Sequence, residues 1–334
     1  MFDLDEAVGN ELVKKYKPTF LGKGAEQLVY EITDRPGIVV KVDKAQMRLI
    51  QGWNESHNLP LDELDPAMRP DIEKYLMRRR ERHARMTSYL GREHVPVQRT
   101  AIVKVPVNKE IIKHVHWGTP PQGAEQVTEA WSVVTVQRRV PEVQHDPKLE
   151  IGSGHIEHQH PDPDVYGRVT RALVDLDPAA HFTNEEFESL FKESLARIIH
   201  FADRDPGLQE AVKDFIARTV RLSNDTGEVF DLVGTYNISF FERDGKWTYR
   251  LLDPLLLTSE NDPRAAAQAV MEHAARGERR DRGEEAFLLW SAVNFARMVN
   301  GLAARYDMTE RVDMIPNHLK GKIDFLQLFK KMNT

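Results

Sequence analysis

The chain has 334 residues, no cysteine, 41% hydrophobic and 29% charged residues, and a formal net charge of −6. Disulfides, thiol catalysis and cysteine-ligated zinc are therefore excluded, and the acidic balance argues against broad nucleic-acid binding. The composition is that of a folded globular chain with room for one large domain or two ordinary ones. The longest apolar run, 286–296, falls short of the roughly 20 residues that cross a bilayer, so no membrane span is expected. Residues 1–18 lack an apolar core and do not read as a signal peptide, which makes the cytoplasm the expected location.

Short β-type runs dominate the first third. "TFLGKGAEQLVYEI" (19–32) and "GIVVKVDK" (37–44) read as strands around the turn "TDRPG" (33–37). Gly22 and Gly24 stand between strand-like segments, where glycines let a backbone approach a phosphate. Taken alone, the pair fits the tip of a hairpin better. Gln27 stands where a third glycine would complete a Gly-x-Gly-x-x-Gly pattern, and a strand rather than a helix follows, which argues against a dinucleotide fold. Lys41 lies in "VVKV" (39–42), and a lysine flanked by valines must reach solvent or meet an anion.

Residues 65–91 predict a helix, with Ile72, Tyr75, Leu76, Met86, Tyr89 and Leu90 at helical spacing and Gly91 as its stop. The helix offers Glu81, and after it Glu73, as a carboxylate for Lys41. Glu81 also fits a solvated partner within "RRRERHAR" (78–85), a segment that reads as an exposed helix face. Residues 97–107 and 130–140 read as further strands, and the Gly- and Pro-containing segment between them as a hairpin loop. Periodicity vanishes over 141–165. Beyond it, helices are expected at 184–203, with Asn184 as N-cap, and at 206–223, 262–277 and 283–306.

One β-type stretch interrupts the helices: "DLVGTYNISFFERDGKWTYRLLDP" (231–254), a hairpin pattern about Asp244-Gly245. Strands with one helix, a linker, then helices around one hairpin make an α+β chain rather than a βαβ one. "GHIEHQHPDPD" (154–164) carries imidazoles at a density that suits zinc or nickel, but in a Pro- and Gly-rich loop that fits a solvated connection better.

In this order, over roughly residues 16–300, the motifs resemble the protein-kinase-like superfamily, nearest its atypical bacterial, phage and aminoglycoside-phosphotransferase branches. The resemblance implies a bilobal fold: a β-rich N-lobe (1–137), a hinge and linker (138–183) and a helical C-lobe with the hairpin (184–334). It implies ATP and Mg²⁺ as cofactors, and a protein or small-molecule hydroxyl as acceptor. Gly22 and Gly24 would cover the phosphates, Lys41 would touch them with Glu81 behind it, and Gln137 would meet the nucleotide on the strand entering the hinge. Asp231 would be the catalytic base, Asn237 a catalytic-loop Mg²⁺ ligand, and Asp253 the second Mg²⁺ ligand.

Three features depart from the family. Asp231 and Asn237 are six apart, where Asp-x-x-x-x-Asn requires five. Val229-Phe230 replaces the His-Arg pair, and Pro254-Leu255 follows Asp253 where the family has Phe-Gly. These departures keep a pseudokinase, binding nucleotide or a partner without turnover, beside the enzyme reading.

Overall fold

The computed structural model describes residues 18–23, 27–32, 35, 37–116, 119–139, 151, 168, 183–232, 237–252, 262–276 and 282–320. Among them the chain is α+β, with a five-stranded antiparallel sheet, a separate two-stranded hairpin and seven α-helices. It divides into two compact units, residues 1–81 with 96–141, and residues 82–95 with 142–334.

In the first unit, β1 (Pro18–Lys23), β2 (Gln27–Ile32) and β3 (Ile38–Asp43) form a meander. β4 (Gln98–Pro106) and β5 (Glu129–Arg138) form a long antiparallel pair that joins the sheet through β5, giving the order β1-β2-β3-β5-β4. Successive side chains on a strand face opposite sides, and here the two sides carry different cores. Leu28, Tyr30, Val40, Val42, Ala101, Val103 and Val134 pack with Met47 of α1 (Lys44–Ser56) and with Ile111, Ile112 and Val115 of α3 (Lys109–Val115). On the other side, Ile102 and Val133 pack with Ile50 of α1 and with Ile72 and Leu76 of α2 (Arg69–Leu90).

A single carboxylate organises the junction of these elements. Asp43, the last residue of β3, is the N-cap of α1 and accepts the Gln46 N–H at 3.1 Å through Oδ1. Its Oδ2 accepts Tyr75 Oη at 2.6 Å and Arg79 Nη1 at 3.1 Å, both from α2. Asp43 and Arg79 are both buried. Burial, with the Asp43 charge second, pushes the Tyr75 phenol well above the ordinary tyrosine range. The Asp43 carbonyl also accepts Ser132 Oγ of β5 at 2.6 Å.

In the second unit, β6 (Ile238–Arg243) and β7 (Lys246–Leu251) pair around Asp244 and Gly245, which have φ of 52° and 72°. Positive φ at both central residues matches the twist of a two-residue hairpin, hence Asp-Gly. The hairpin lies on α5 (Pro206–Thr226) through Phe215, whose ring meets Phe240 and Tyr249 edge-on at 6.0 and 5.4 Å. Asp205 caps α5 and also accepts the Trp247 indole N–H at 2.7 Å. The core continues through α4 (Asn184–Ala202), α6 (Pro263–Ala275) and α7 (Arg282–Arg305), with Trp290, Val293 and Phe295 buried.

Four sequence expectations change. The connection between β4 and β5, read as a hairpin loop, carries α3, whose first turn is capped by Asn108 Oδ1 accepting the Ile111 N–H at 2.9 Å. α4 is capped by Thr183 rather than Asn184: Thr183 Oγ1 accepts the Glu186 N–H at 3.1 Å while the Glu186 carboxylate accepts the Thr183 N–H. Helix α1 follows β3 where no helix is expected, although Met47, Ile50 and Trp53 recur at helical spacing; its buried side also carries Gln46, Gln51 and Asn54. The "RRRERHAR" segment is not a uniformly solvated face, since Arg79 and Arg82 are buried.

The Asp43→Ala variant is expected to lose about 3–5 kcal/mol in chemical denaturation, because it strands the buried Arg79 charge. Tyr75→Phe, which gives up one hydrogen bond and keeps the ring, is expected to lose only about 1 kcal/mol.

Candidate functional site

The segment that carries the candidate chemistry leaves α5 at Gly227. This residue has φ of 75°, which closes the helix in a left-handed conformation suited to glycine. A Cβ there would also run into the Asp262 carboxylate. Glu228 follows, fully buried, and receives two arginines of α2: Arg82 Nε at 2.9 and 3.1 Å and Arg85 Nη2 at 2.8 Å. A buried carboxylate needs such partners to offset its lost hydration. Val229, Phe230 and Leu232 then anchor in the core, Phe230 against Phe295 at 5.8 Å.

Asp231 stands half-buried between these anchors. Asn237, buried, donates from Nδ2 to the Asp231 carbonyl at 2.7 Å and so ties together the two ends of the six-residue separation. The Leu252 N–H donates to the Asn237 carbonyl at 2.8 Å, which extends the β6–β7 ladder by one pair beyond Ile238 opposite Leu251. Asn237 and Leu252 thus sit at one end of the hairpin, with Asp253 next in the chain. Asp253 itself, like Gly24 and His155, His158 and His160, lies outside the described residues. With its amide nitrogen engaged at the Asp231 carbonyl, Asn237 has Oδ1, a hard oxygen, to offer a cation.

On the first unit's sheet, Lys41 is opposite Val29 of β2 and Thr135 of β5, and it is buried. Gln137 lies opposite Val39 and Gln98, and its Oε1 accepts the Gln98 amide at 3.1 Å. Cross-strand partners share a face, so Lys41, Thr135 and Thr100 form a polar row on the side opposite Val40 and Val42. Gly22 lies in β1 opposite Val29, directly after a register shift at Phe20/Gly22. Glu81 is on the exposed side of α2, and the charged residues on that helix's buried side are Arg79 and Arg82.

Sequence reasoning missed Asp43 and Glu228. The signal for each was a lone acid abutting an apolar run, "VVKVD" and "EVFDL", together with an arginine-dense helix able to answer it. His94 was missed as well. Its ring stacks on Tyr249 at 3.7 Å, and Nδ1 donates to the Tyr249 carbonyl at 2.9 Å while the Leu251 N–H returns a bond to the His94 carbonyl. Nε2 faces Glu93 and Asp214 at 3.7 and 3.9 Å. Among the described residues, no group of three or more His, Asp or Glu side chains is placed to hold a metal. No protein-family model, curated protein or solved structure matches the chain.

Burial holds the His94 imidazole below its ordinary pKa, outweighing the Tyr249 carbonyl and the two carboxylates, which act the other way; Arg218 adds to the lowering. The unfolded chain therefore takes up a proton at His94 first. This contribution is fully present above the ordinary imidazole value of about 6.5 and is lost as pH falls through it toward the lower folded value. Melting of wild type and His94→Gln, compared from about pH 7.5 down to about pH 5.5, should show the smaller drop in the variant.

Proposed function

We propose that the protein is a kinase-like phosphotransferase that moves the γ-phosphoryl group of ATP to a hydroxyl on a protein or small molecule, built on a bilobal fold and working in the cytoplasm. The observation that carries this reading is the hydrogen bond by which Asn237 holds the Asp231 carbonyl at the end of the β6–β7 hairpin, one residue of chain before Asp253. That bond sets a carboxylate residue and an amide oxygen beside the same pair of strands. Phosphoryl transfer asks mainly for positioned oxygen ligands and neutralised charge, and the residue types in this turn fit Mg²⁺.

Bound Mg²⁺ would neutralise charge on the β- and γ-phosphate oxygens. The chain's own residues supply the rest. Lys41, held in a buried strand, offsets phosphate charge, and Thr135 and Gln137 extend the polar row beside it. Gly22 and Gly24, which carry no side chains, would allow a close backbone approach to the phosphates. Asp231 receives the acceptor's hydroxyl proton, while Asn237 and Asp253 are the oxygen ligands for the cation.

One observation favours a pseudokinase as the second reading: the buried side of α2 presents arginines, and Glu81 lies on its exposed side. The two readings separate by experiment. Mg·ATP at about 100 times its Kd should stabilise the wild type by about 2.7 kcal/mol in a thermal-shift titration, and Lys41→Met and Asp253→Ala should each abolish most of that gain. Turnover that disappears in Asp231→Asn supports the enzyme, whereas binding without turnover across protein and small-molecule acceptors supports the pseudokinase. Absence of any Mg·ATP binding by the wild type defeats the enzyme and the nucleotide-binding pseudokinase, and leaves only a module that binds a protein partner.

A further inference from the structure

Gln27 opens β2, is buried, and has no hydrogen-bond partner for either Oε1 or Nε2. Buried carboxamides open at both ends are rare in native proteins, and each one calls for an explanation. The register explains where this one points. Gln27 pairs with Asp43 and Val29 pairs with Lys41, so Gln27 and Lys41 share one face of the sheet, a single diagonal step apart.

The obvious partner across the strand is already taken. Asp43 is engaged by the Gln46 N–H, Tyr75 and Arg79, and the Arg79 guanidinium compensates its charge. An anion approaching this face therefore meets a lysine and a carboxamide rather than an uncompensated carboxylate. The complement of an open N–H₂ beside an ammonium is an anionic oxygen, and charge-assisted bonds of this kind are the stronger class.

We infer that Gln27 is a nucleotide-binding residue whose side-chain amide donates to a phosphate oxygen of the triphosphate held by Lys41. At the position where a glycine-rich loop would offer only backbone, this chain offers a side-chain donor. The inference rests on the kinase-like reading and adds a recognition group to the same site.

The test compares wild type, Gln27→Met and Gln27→Glu by calorimetric titration with Mg·ATP and by melting without ligand. Gln27→Met is expected to melt at or above the wild-type temperature without ligand, since it removes an unsatisfied buried amide. It is also expected to bind Mg·ATP about tenfold more weakly or worse, the loss of one hydrogen bond to a charged acceptor. Gln27→Glu, which sets a carboxylate against the phosphates, should bind more weakly still. Equal Mg·ATP affinity in wild type and Gln27→Met overturns this inference alone. A ligand-free Gln27→Met that melts several degrees lower also overturns it, by showing that the amide is satisfied within the protein. A wild type that binds no Mg·ATP overturns it together with the function on which it rests.

Discussion

The carboxylate of Asp43 receives donors from three directions: the first turn of α1, a tyrosine and an arginine. It ends a central strand, begins a helix and receives a second helix, so one residue fixes where the sheet stops and how both helices leave or approach it. Because the acid is buried, each of these donors replaces hydration that the carboxylate has lost. The same arrangement shapes the neighbouring surface. Arg79 answers the Asp43 charge on the same face of the sheet that bears Lys41 and Gln27.

The second unit applies the same logic to a different end. Glu228 is held by Arg82 and Arg85, and apolar side chains on both sides of Asp231 sink into the core. A polar residue flanked by such anchors has little freedom to wander. Asn237 then bonds to the Asp231 carbonyl, and the hairpin behind it is braced on α5 through the Phe215, Phe240 and Tyr249 rings. Buried ion pairs are weak sources of net stability, but breaking one is costly, which makes them effective at specifying a single arrangement.

Much of the fold was legible in the sequence because its signals are local. Runs rich in β-branched residues marked β4 and β5, Asp244-Gly245 marked the hairpin turn, and the long helices announced themselves by apolar spacing. The misses share a cause. Helix α1 mixes buried amides with its apolar residues, so its hidden side reads as mixed; Arg79 and Arg82 look like surface charges until their distant acids, Asp43 and Glu228, are known. Pairing across long sequence separations leaves no periodic trace. For the candidate site, the sequence supplied residue types and order. What needed coordinates was the bond by which Asn237 reaches Asp231 and the register that sets Gln27 beside Lys41.

The strand order has a consequence for how the chain reaches its native state. β1 to β3 are near neighbours in sequence and can associate early, but β3 finds its second partner only when β5 arrives, with Ile38 meeting Arg138. Closing so long a loop is slow relative to forming local contacts. Until then the far edge of β3, rich in valine, is an unpaired template for another chain. Lys41 sits in the middle of that edge, and a charge placed there discourages wrong partners while the right one is still being made.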